Sequence, residues 1–344
     1  MKSRTSHAIS TLVLLVFACS ASAVAGTVAV GSCLPRLASY TTISEAVAAV
    51  PAGSIIDVCP GTYSETVQIL QALTLQGVSS ADGDLVVISG GGDLTAALAV
   101  IAAGPVNISN IQVQLGPDPS ASIGIKYTGA SGTLNHVSVA IPSSRPGEQI
   151  GIQVVVNDGS SQTVSIRNSD ISMSTGALQG IEAGAGPGTL ALTIQDNTIV
   201  APVVADEGVD IAPCCGGTVA ATIQGNFIDS FRVGIISGGG LTISGNTIVN
   251  SSESGISSAT GDTVTGNNLI GNGTGILSTG QATTYAHNTI TNSTIGIDLG
   301  CSTTAATGNT FNNDTTGFNN VPPLFGTATN IFYAVSTIRG AACP

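Results

Sequence analysis

Lys126, Gln153, Glu182 and Asp210 each follow directly on a glycine and a branched aliphatic: Gly124-Ile125, Gly151-Ile152, Gly180-Ile181 and Gly208-Val209. On an extended strand, a residue next to an inward aliphatic points outward. The four would then form one column, with neighbours ~4.8 Å apart if the segments stack as parallel strands. Glu182 and Asp210 would be adjacent carboxylates. Such a pair can bind Ca2+ through its oxygens, and no other cofactor is called for. It can also serve as acid and base in glycosidic hydrolysis, where the carboxyl separation decides the stereochemistry. A lyase would need a base for a sugar-ring proton, for which Lys126 or Arg145 is the nearby candidate. Two coils would separate Lys126 from Asp210, a gap that a substrate can bridge. Asp206 and Glu207 precede Asp210, and Arg145 and Glu148 precede Gln153. With Gln153 these are the candidate binding residues. The plainer role for any of them is a solvated surface group. Asp298 has the same phase in a shorter unit and reads as surface, and His136 and His287 read as turn residues.

The elements that must position these side chains come from a repeat. The glycine-aliphatic pair recurs through Gly234-Ile235, Gly255-Ile256, Gly275-Ile276, Gly296-Ile297 and Gly317-Phe318. An asparagine recurs before a strand-like run at Asn197, Asn226, Asn246, Asn267, Asn288 and Asn309. The late spacings are 20 or 21 residues, the mark of a solenoid. Each unit reads as three short strands. In the unit from Leu241, Gly245-Asn246 supplies a turn, and Ile243, Ile248 and Ile256 point inward. The fold expected is all-β: a right-handed parallel β-helix of about 11 coils. Stacked asparagines would bond from coil to coil and satisfy turn backbone that would otherwise be buried unpaired. A leucine-rich repeat is excluded, because neither recurrent Leu nor a helical half-repeat is present. One amphipathic helix is expected near 42–50, N-capped by Thr42 with Glu45 three residues on. Ile43, Ala46, Val47 and Val50 share its apolar face, which would cover the open N-terminal end of the core. A C-terminal cap is expected near 318–344.

The earlier glycine spacings, from Gly124 to Gly234, are 26 to 29 residues. The additional residues fall before each glycine (141–149, 174–179, 201–207) and after the strand it opens (157–161, 183–188, 212–217). Two stacked ridges are therefore expected, with the column as the floor of a groove between them.

Composition narrows the partners. The 344 residues carry 8 Lys and Arg against 20 Asp and Glu, for a formal charge of −12. No basic stripe is present to neutralise phosphates, so nucleic acid is not expected as a partner. Aromatics are only 3% and Trp is absent, so the core must be aliphatic. Lys2 and Arg4 precede an apolar run, Ile9 to Phe17, too short to span a bilayer. Ala-x-Ala sites follow at 21–23 and 23–25, so 1–25 reads as a signal peptide; the rival is lipidation at Cys19, for which Phe17 fits poorly. No other stretch reads as a membrane span. The expected mature domain is 26–344, secreted or at the cell surface, and a monomer. It keeps Cys33, Cys59, Cys214, Cys215, Cys301 and Cys343, an even number that favours disulfides in an exported chain. Connectivity is not readable from sequence; positions at the two ends suggest Cys33 with Cys59 and Cys301 with Cys343. Cys214 and Cys215 are adjacent, and either bridge each other or stay as thiols.

Thr41-Thr-Ile-Ser-Glu-Ala-Val, followed by Ile55-Ile-Asp-Val-Cys-Pro-Gly-Thr-Tyr-Ser-Glu-Thr-Val, resembles the opening of pectin-lyase-like β-helix proteins. The later Gly-Asn-x-Ile and Gly-Ile units resemble that superfamily's repeats. The resemblance covers nearly the whole mature chain. It implies the fold, and a cleft on the strand that carries the Lys126–Asp210 column. Its members include polysaccharide lyases, glycoside hydrolases, esterases, epimerases and proteins without activity. The Asn-Thr-Asp, Asp-Asp, Gly-His-Gly and Arg-Ile-Lys signatures of polygalacturonase-like enzymes are absent here. The expectation is therefore recognition of an extracellular polysaccharide, with cleavage by lyase or hydrolase chemistry as the enzymatic form. The alternative is a non-catalytic surface or matrix scaffold.

Overall fold

The computed structural model describes residues 24–79, 83–90, 96–115, 122–141, 149–174, 177–302 and 304–343. Residues 1–23 of the segment expected to be a signal peptide, Cys19 among them, lie outside the described residues, as do Arg145 and Glu148.

Alternation of inward aliphatic and outward polar residues builds the coils. The unit read from Leu241 forms strands Thr242–Ser244, Thr247–Val249 and Ser254–Ser258. Ile243, Ile248 and Ile256 are fully buried. Each stacks on its counterpart in the next coil: Val264, Leu269 and Ile276 respectively. The first strand of each unit joins a 13-stranded sheet, and the other two join a 22-stranded sheet. The ladders between coils are parallel, as the solenoid requires. The chain is a right-handed parallel β-helix.

The asparagine column is a continuous hydrogen-bonded stack through Asn197, Asn226, Asn246, Asn267, Asn288, Asn309 and Asn330. Asn267 shows the pattern. Its Nδ2 donates to Asn288 Oδ1 at 2.9 Å and to Ile243 C=O at 3.0 Å. Its Oδ1 accepts the Asn246 backbone N–H at 3.0 Å. Buried turn backbone is thus paired, as burial demands. The stack runs one coil beyond the repeat read from sequence, to Asn330.

The glycine before each inward aliphatic answers a close approach. A Cβ on Gly208 would sit 2.5 Å from Gly234 C=O and 2.6 Å from Ile228 Cγ2. Neighbouring coils leave no room there for a side chain.

Both ends are closed. The helix Ile43–Ala49 is N-capped by Thr42, whose Oγ1 accepts the Glu45 N–H at 3.1 Å. Ile43, Ala46, Val47 and Val50 are buried. A second cap comes from Glu65, which accepts Ile43 N–H at 2.8 Å and Ser44 N–H at 2.9 Å. A carboxylate there also complements the helix dipole. Gln71 caps the other end, donating to Val47 C=O at 3.1 Å and to Val50 C=O. At the C-terminus, Ile331–Tyr333 and Thr337–Arg339 continue the stack on Thr310–Asn312 and Thr316–Asn319. Phe311, Phe318, Phe325 and Phe332 make a ring cluster over the last core layer. Disulfides Cys33–Cys59 and Cys301–Cys343 tie the two ends, in the pairing suggested above. Among the described residues no helix is long and apolar enough to cross a membrane.

The large coils differ from expectation. Residues 183–185 belong to the strand Gln179–Ala185, and residue 161 opens the strand Ser161–Arg167. The additional length widens the coil and does not raise a second ridge. The reason is continued alternation: Val154, Val156, Ala183 and Ala185 are buried and extend the core. Only short turns, 157–160, 186–188 and 212–217, remain at that edge. On the other side, residues 142–148 and 175–176 lie outside the described residues. Residues 201–207 fall within one long strand, Thr198–Ile211, as an irregularity between Val200 and Ala205. Asp298 also departs from its surface reading. It is 9% exposed, and accepts hydrogen bonds from Gly300 N–H and from the amides of Asn319 and Asn320.

Candidate functional site

The predicted column exists in register. Lys126 pairs with Gln153, Gln153 with Glu182, and Glu182 with Asp210. Their flanking residues Ile125, Ile152, Ile181 and Val209 are fully buried, so the four side chains lie on the outer face and are half-buried there. Three strands carry the centre of this face: Ile150–Val156, Gln179–Ala185 and Thr198–Ile211. A second outward column runs beside the first, from Ile150 to Gln179 to Glu207 to Val233. The polar patch is bounded by apolar residues at both ends. Ala96, Ala99 and Ile123 form a small cluster with Ile150 on one side. Val233 and Ile236 follow Glu207 and Asp210 on the other.

Hydrogen bonds organise the patch across coils. Gln153 Nε2 donates to Glu182 Oε2 at 2.6 Å. Gln179 Nε2 donates to Glu207 Oε2 at 3.0 Å and to Asp210 Oδ2 at 3.3 Å. Arg232, one coil further on, makes ion pairs with Asp206, Glu207 and Glu253. Half-exposed pairs of this kind contribute little stability singly. Together they hold Asp206 and Glu207 toward the guanidinium and leave Asp210 with only the Gln179 amide. Burial, followed by the nearby charges of Glu207 and Glu182, pushes the Asp210 carboxyl up to about 6. A carboxyl shifted in this way can hold and release a proton near neutral pH.

The structure therefore brings together Gln153, Glu182, Asp210, Asp206 and Glu207, with Lys126 one coil beyond Gln153. Arg145 and Glu148 are outside the described residues. Sequence reasoning missed Gln179, Arg232 and Glu253. Gln179 had a signal, since it stands directly before a Gly-Ile pair as Glu207 stands before Gly-Val. Arg232 had none, because its partners come from two other coils.

Other chemistry-bearing groups lie apart. His136 and His287 occupy left-handed turn positions, with φ of 53° and 55°. Tyr127 is buried and donates to Val106 C=O at 2.9 Å, so no ring from it reaches the face. Cys214 and Cys215 are free and exposed on the turn after Ile211. Among the described residues, no three of His, Cys, Asp and Glu gather as a metal site. A cleft of about 330 Å³ opens elsewhere, beside Asp84, Leu85, Asn110, Gln112 and His136.

Comparison with known proteins agrees with this architecture. The family model described as "Periplasmic copper-binding protein (NosD)" matches residues 147–325, just over half of the chain. No curated protein matches. The Dettilon tailspike protein is 13% identical, with a TM-score of 0.52 over 82% of this chain and 62% of its own. This chain thus spans about three fifths of that tailspike. The A-module of mannuronan C-5 epimerase from Azotobacter vinelandii is 14% identical (TM-score 0.47; 88% of this chain, 91% of that one). An alginate lyase from Paenibacillus sp. is 18% identical (TM-score 0.46; 93% and 99%). At 13% identity the likeness to the tailspike is one of fold. The match across the coils that carry Gln153, Glu182 and Asp210 shows that the chain belongs to the NosD family of parallel β-helix proteins.

Proposed function

We propose that this protein is an exported β-helix that binds an extracellular polysaccharide over Lys126, Gln153, Glu182 and Asp210, and hydrolyses it there. The observation that carries the reading is the one-coil register between Glu182 and Asp210 on an outward strand. One coil step, ~4.8 Å, is close to the ~5 Å between the carboxyls of retaining glycosidases. Asp210 acts as the acid and protonates the leaving glycosidic oxygen. Glu182, oriented by Gln153 Nε2, attacks the anomeric carbon as the C–O bond breaks. Water then cleaves the resulting ester while Asp210 takes the water proton. Lys126, Gln153, Gln179 and Glu207 contact neighbouring sugar units. The disulfides support export, since such bridges persist in oxidising compartments.

Copper is named in the family description, and the donors here do not fit it. Copper sites draw on imidazole, thiolate and thioether ligands. His136 and His287 stand in one corner column, six coil steps or ~29 Å apart. Met173 is buried in the core, and the Cys214–Cys215 turn is a separate element. Ca2+ at Glu182 and Asp210 would need several further oxygen ligands, so it enters only as a condition to vary.

A non-catalytic scaffold is the second reading. Arg232 favours it, because its ion pairs with Asp206, Glu207 and Glu253 make much of the patch a self-neutralised surface. The test is product release from a panel of polyuronates and neutral glycans, with and without Ca2+. Native protein is compared with a Glu182→Gln/Asp210→Asn double variant. New reducing ends that the double variant loses support hydrolysis. Unsaturated ends would move the reading to a lyase with Lys126 as base. No product from any glycan would favour the scaffold.

A further inference from the structure

Cys214 and Cys215 follow Asp210 by four and five residues, on the turn between the strands Thr198–Ile211 and Thr218–Gln224. Both thiols are free and exposed. The neighbouring Cys215 thiol pushes the Cys214 thiol up. The turn beneath them is fixed. Cys214 N–H donates to Ala185 C=O at 2.8 Å, and Gly217 N–H donates to Cys214 C=O at 2.8 Å. Cys215 has φ of 55°, in the left-handed region that non-glycine residues seldom adopt. Neighbouring coils press on both flanks: a Cβ on Gly238 would lie 2.2 Å from the Pro213 ring, and one on Gly217 would lie 1.6 Å from Gly186 C=O. Two adjacent thiols thus stand on the outside of a turn whose backbone is fixed.

The other cysteines of the described residues are closed in two disulfides. In the oxidising setting that such bridges imply, exposed thiols on adjacent residues are poised to react with each other. We propose that Cys214 and Cys215 are a reversible redox modification site, a vicinal dithiol that closes to a disulfide. The oxidant is an external disulfide. One thiolate attacks it, forms a mixed disulfide and releases the first external thiol. The second thiolate displaces the other external sulfur. The two S–H bonds and the external S–S bond are broken, and one new S–S bond joins Cys214 to Cys215. Two electrons and two protons end on the two external thiols.

The closed form is strained by its covalent frame. Consecutive Cα atoms are about 3.8 Å apart across a trans peptide, short of the roughly 4.4–6.8 Å usual for a disulfide. The two end disulfides, with Cα separations of 5.7 and 5.5 Å, meet that requirement. The vicinal bridge is therefore the more reducible. It responds to the thiol–disulfide balance outside the protein while the end bridges stay shut.

The test uses the full-length protein isolated without reductant, denatured, treated with N-ethylmaleimide and mapped by peptide mass. The peptide containing Cys214 and Cys215 is expected to carry no maleimide, with a mass roughly 2 Da below the dithiol form. In glutathione buffers of increasing reducing power it opens first, before Cys33–Cys59 and Cys301–Cys343. Cys214→Ser leaves one alkylatable thiol at Cys215 and an unchanged unfolding temperature. The proposal is overturned if the peptide takes up two maleimides after incubation with oxidised glutathione. It is equally overturned if its sulfurs are bonded to another chain, or if it opens only together with the end bridges.

Discussion

Asp314 stands in the column that Asn272 occupies two coils earlier, and it makes one of the two hydrogen bonds that Asn272 makes. Asn272 Oδ1 accepts Ser251 N–H at 2.9 Å, and its Nδ2 donates to Ile248 C=O at 3.2 Å. Asp314 Oδ1 accepts Ser293 N–H at 2.7 Å, but its Oδ2 is buried without a partner. By register, the carbonyl facing it is that of Ile290, which stacks two coils beyond Ile248. A carboxylate cannot donate to a carbonyl, whereas a carboxylic acid can. Burial accordingly pushes Asp314 up to about 6.

Asp314→Asn restores the missing donor. It is expected to stabilise the protein by ~1–2 kcal/mol at pH 8, the scale of satisfying a buried polar group. Little change is expected at pH 4, where the native acid already carries the proton. Urea unfolding midpoints at the two pH values check this; a variant no more stable than native at pH 8 would count against the ladder equivalence.

Stability should also depend on pH in a defined direction. Asp314 and Asp210 have folded values of about 6, above the ordinary 3.8. Between those values the folded chain holds protons that the unfolded chain has released. Their contribution therefore falls as pH rises from about 4 to about 6, and is flat above and below. Thermal unfolding across pH 3.5–8 (roughly the span of this linkage) tests the slope. The Asp210→Asn/Asp314→Asn double variant should lose that component.

Asp210→Asn is expected to lower product release about 100-fold or more, the usual scale for removing a general acid. Its unfolding temperature should be unchanged or slightly raised, since a raised carboxyl is replaced by a neutral amide. In the native protein kcat/KM should fall as pH rises through about 6, where Asp210 loses its proton. An Asp210→Asn variant with native activity would remove Asp210 from the chemistry.

Asn267→Ala should be costly. It removes the acceptor of Asn246 N–H and Nδ2, and the donor to Ile243 C=O and Asn288. All lie in buried turns. A loss of ~2–4 kcal/mol is expected from orphaned polar groups of this kind, read as a lower urea midpoint. Gly266, the preceding turn residue, leaves open space around a Cβ but has φ of 65°. Gly266→Ala should therefore cost less, by backbone strain alone.

The sequence shows the coil because one physical rule, alternation, repeats at nearly constant spacing. Ile243, Ile248 and Ile256 are legible as core, and Asn246 and Asn267 as a stack, from period alone. The Glu182–Asp210 register is legible for the same reason. What period cannot show is whether additional residues leave the coil or widen it. Val154, Val156, Ala183 and Ala185 carried the answer, because they keep the alternation going where a protruding loop would break it. Contacts across coils of unequal length were also hidden. Arg232 reaches Asp206 and Glu253, and Glu65 reaches the start of the helix. Asp298 is buried because Asn319 and Asn320 of the following coil close over it.

The asparagine stack has a direction. Each amide donates forward, to the oxygen of the coil that follows it in the chain, as Asn246 does to Asn267 and Asn267 to Asn288. A chain folding from its N-terminus therefore always ends in a coil whose donors are waiting, and the next coil to emerge is what completes them. Contacts between neighbouring coils span only some 20 to 30 residues, so each addition is local. The protein can assemble as a zipper that runs in the order of its synthesis, with every finished coil serving as template for the one not yet made.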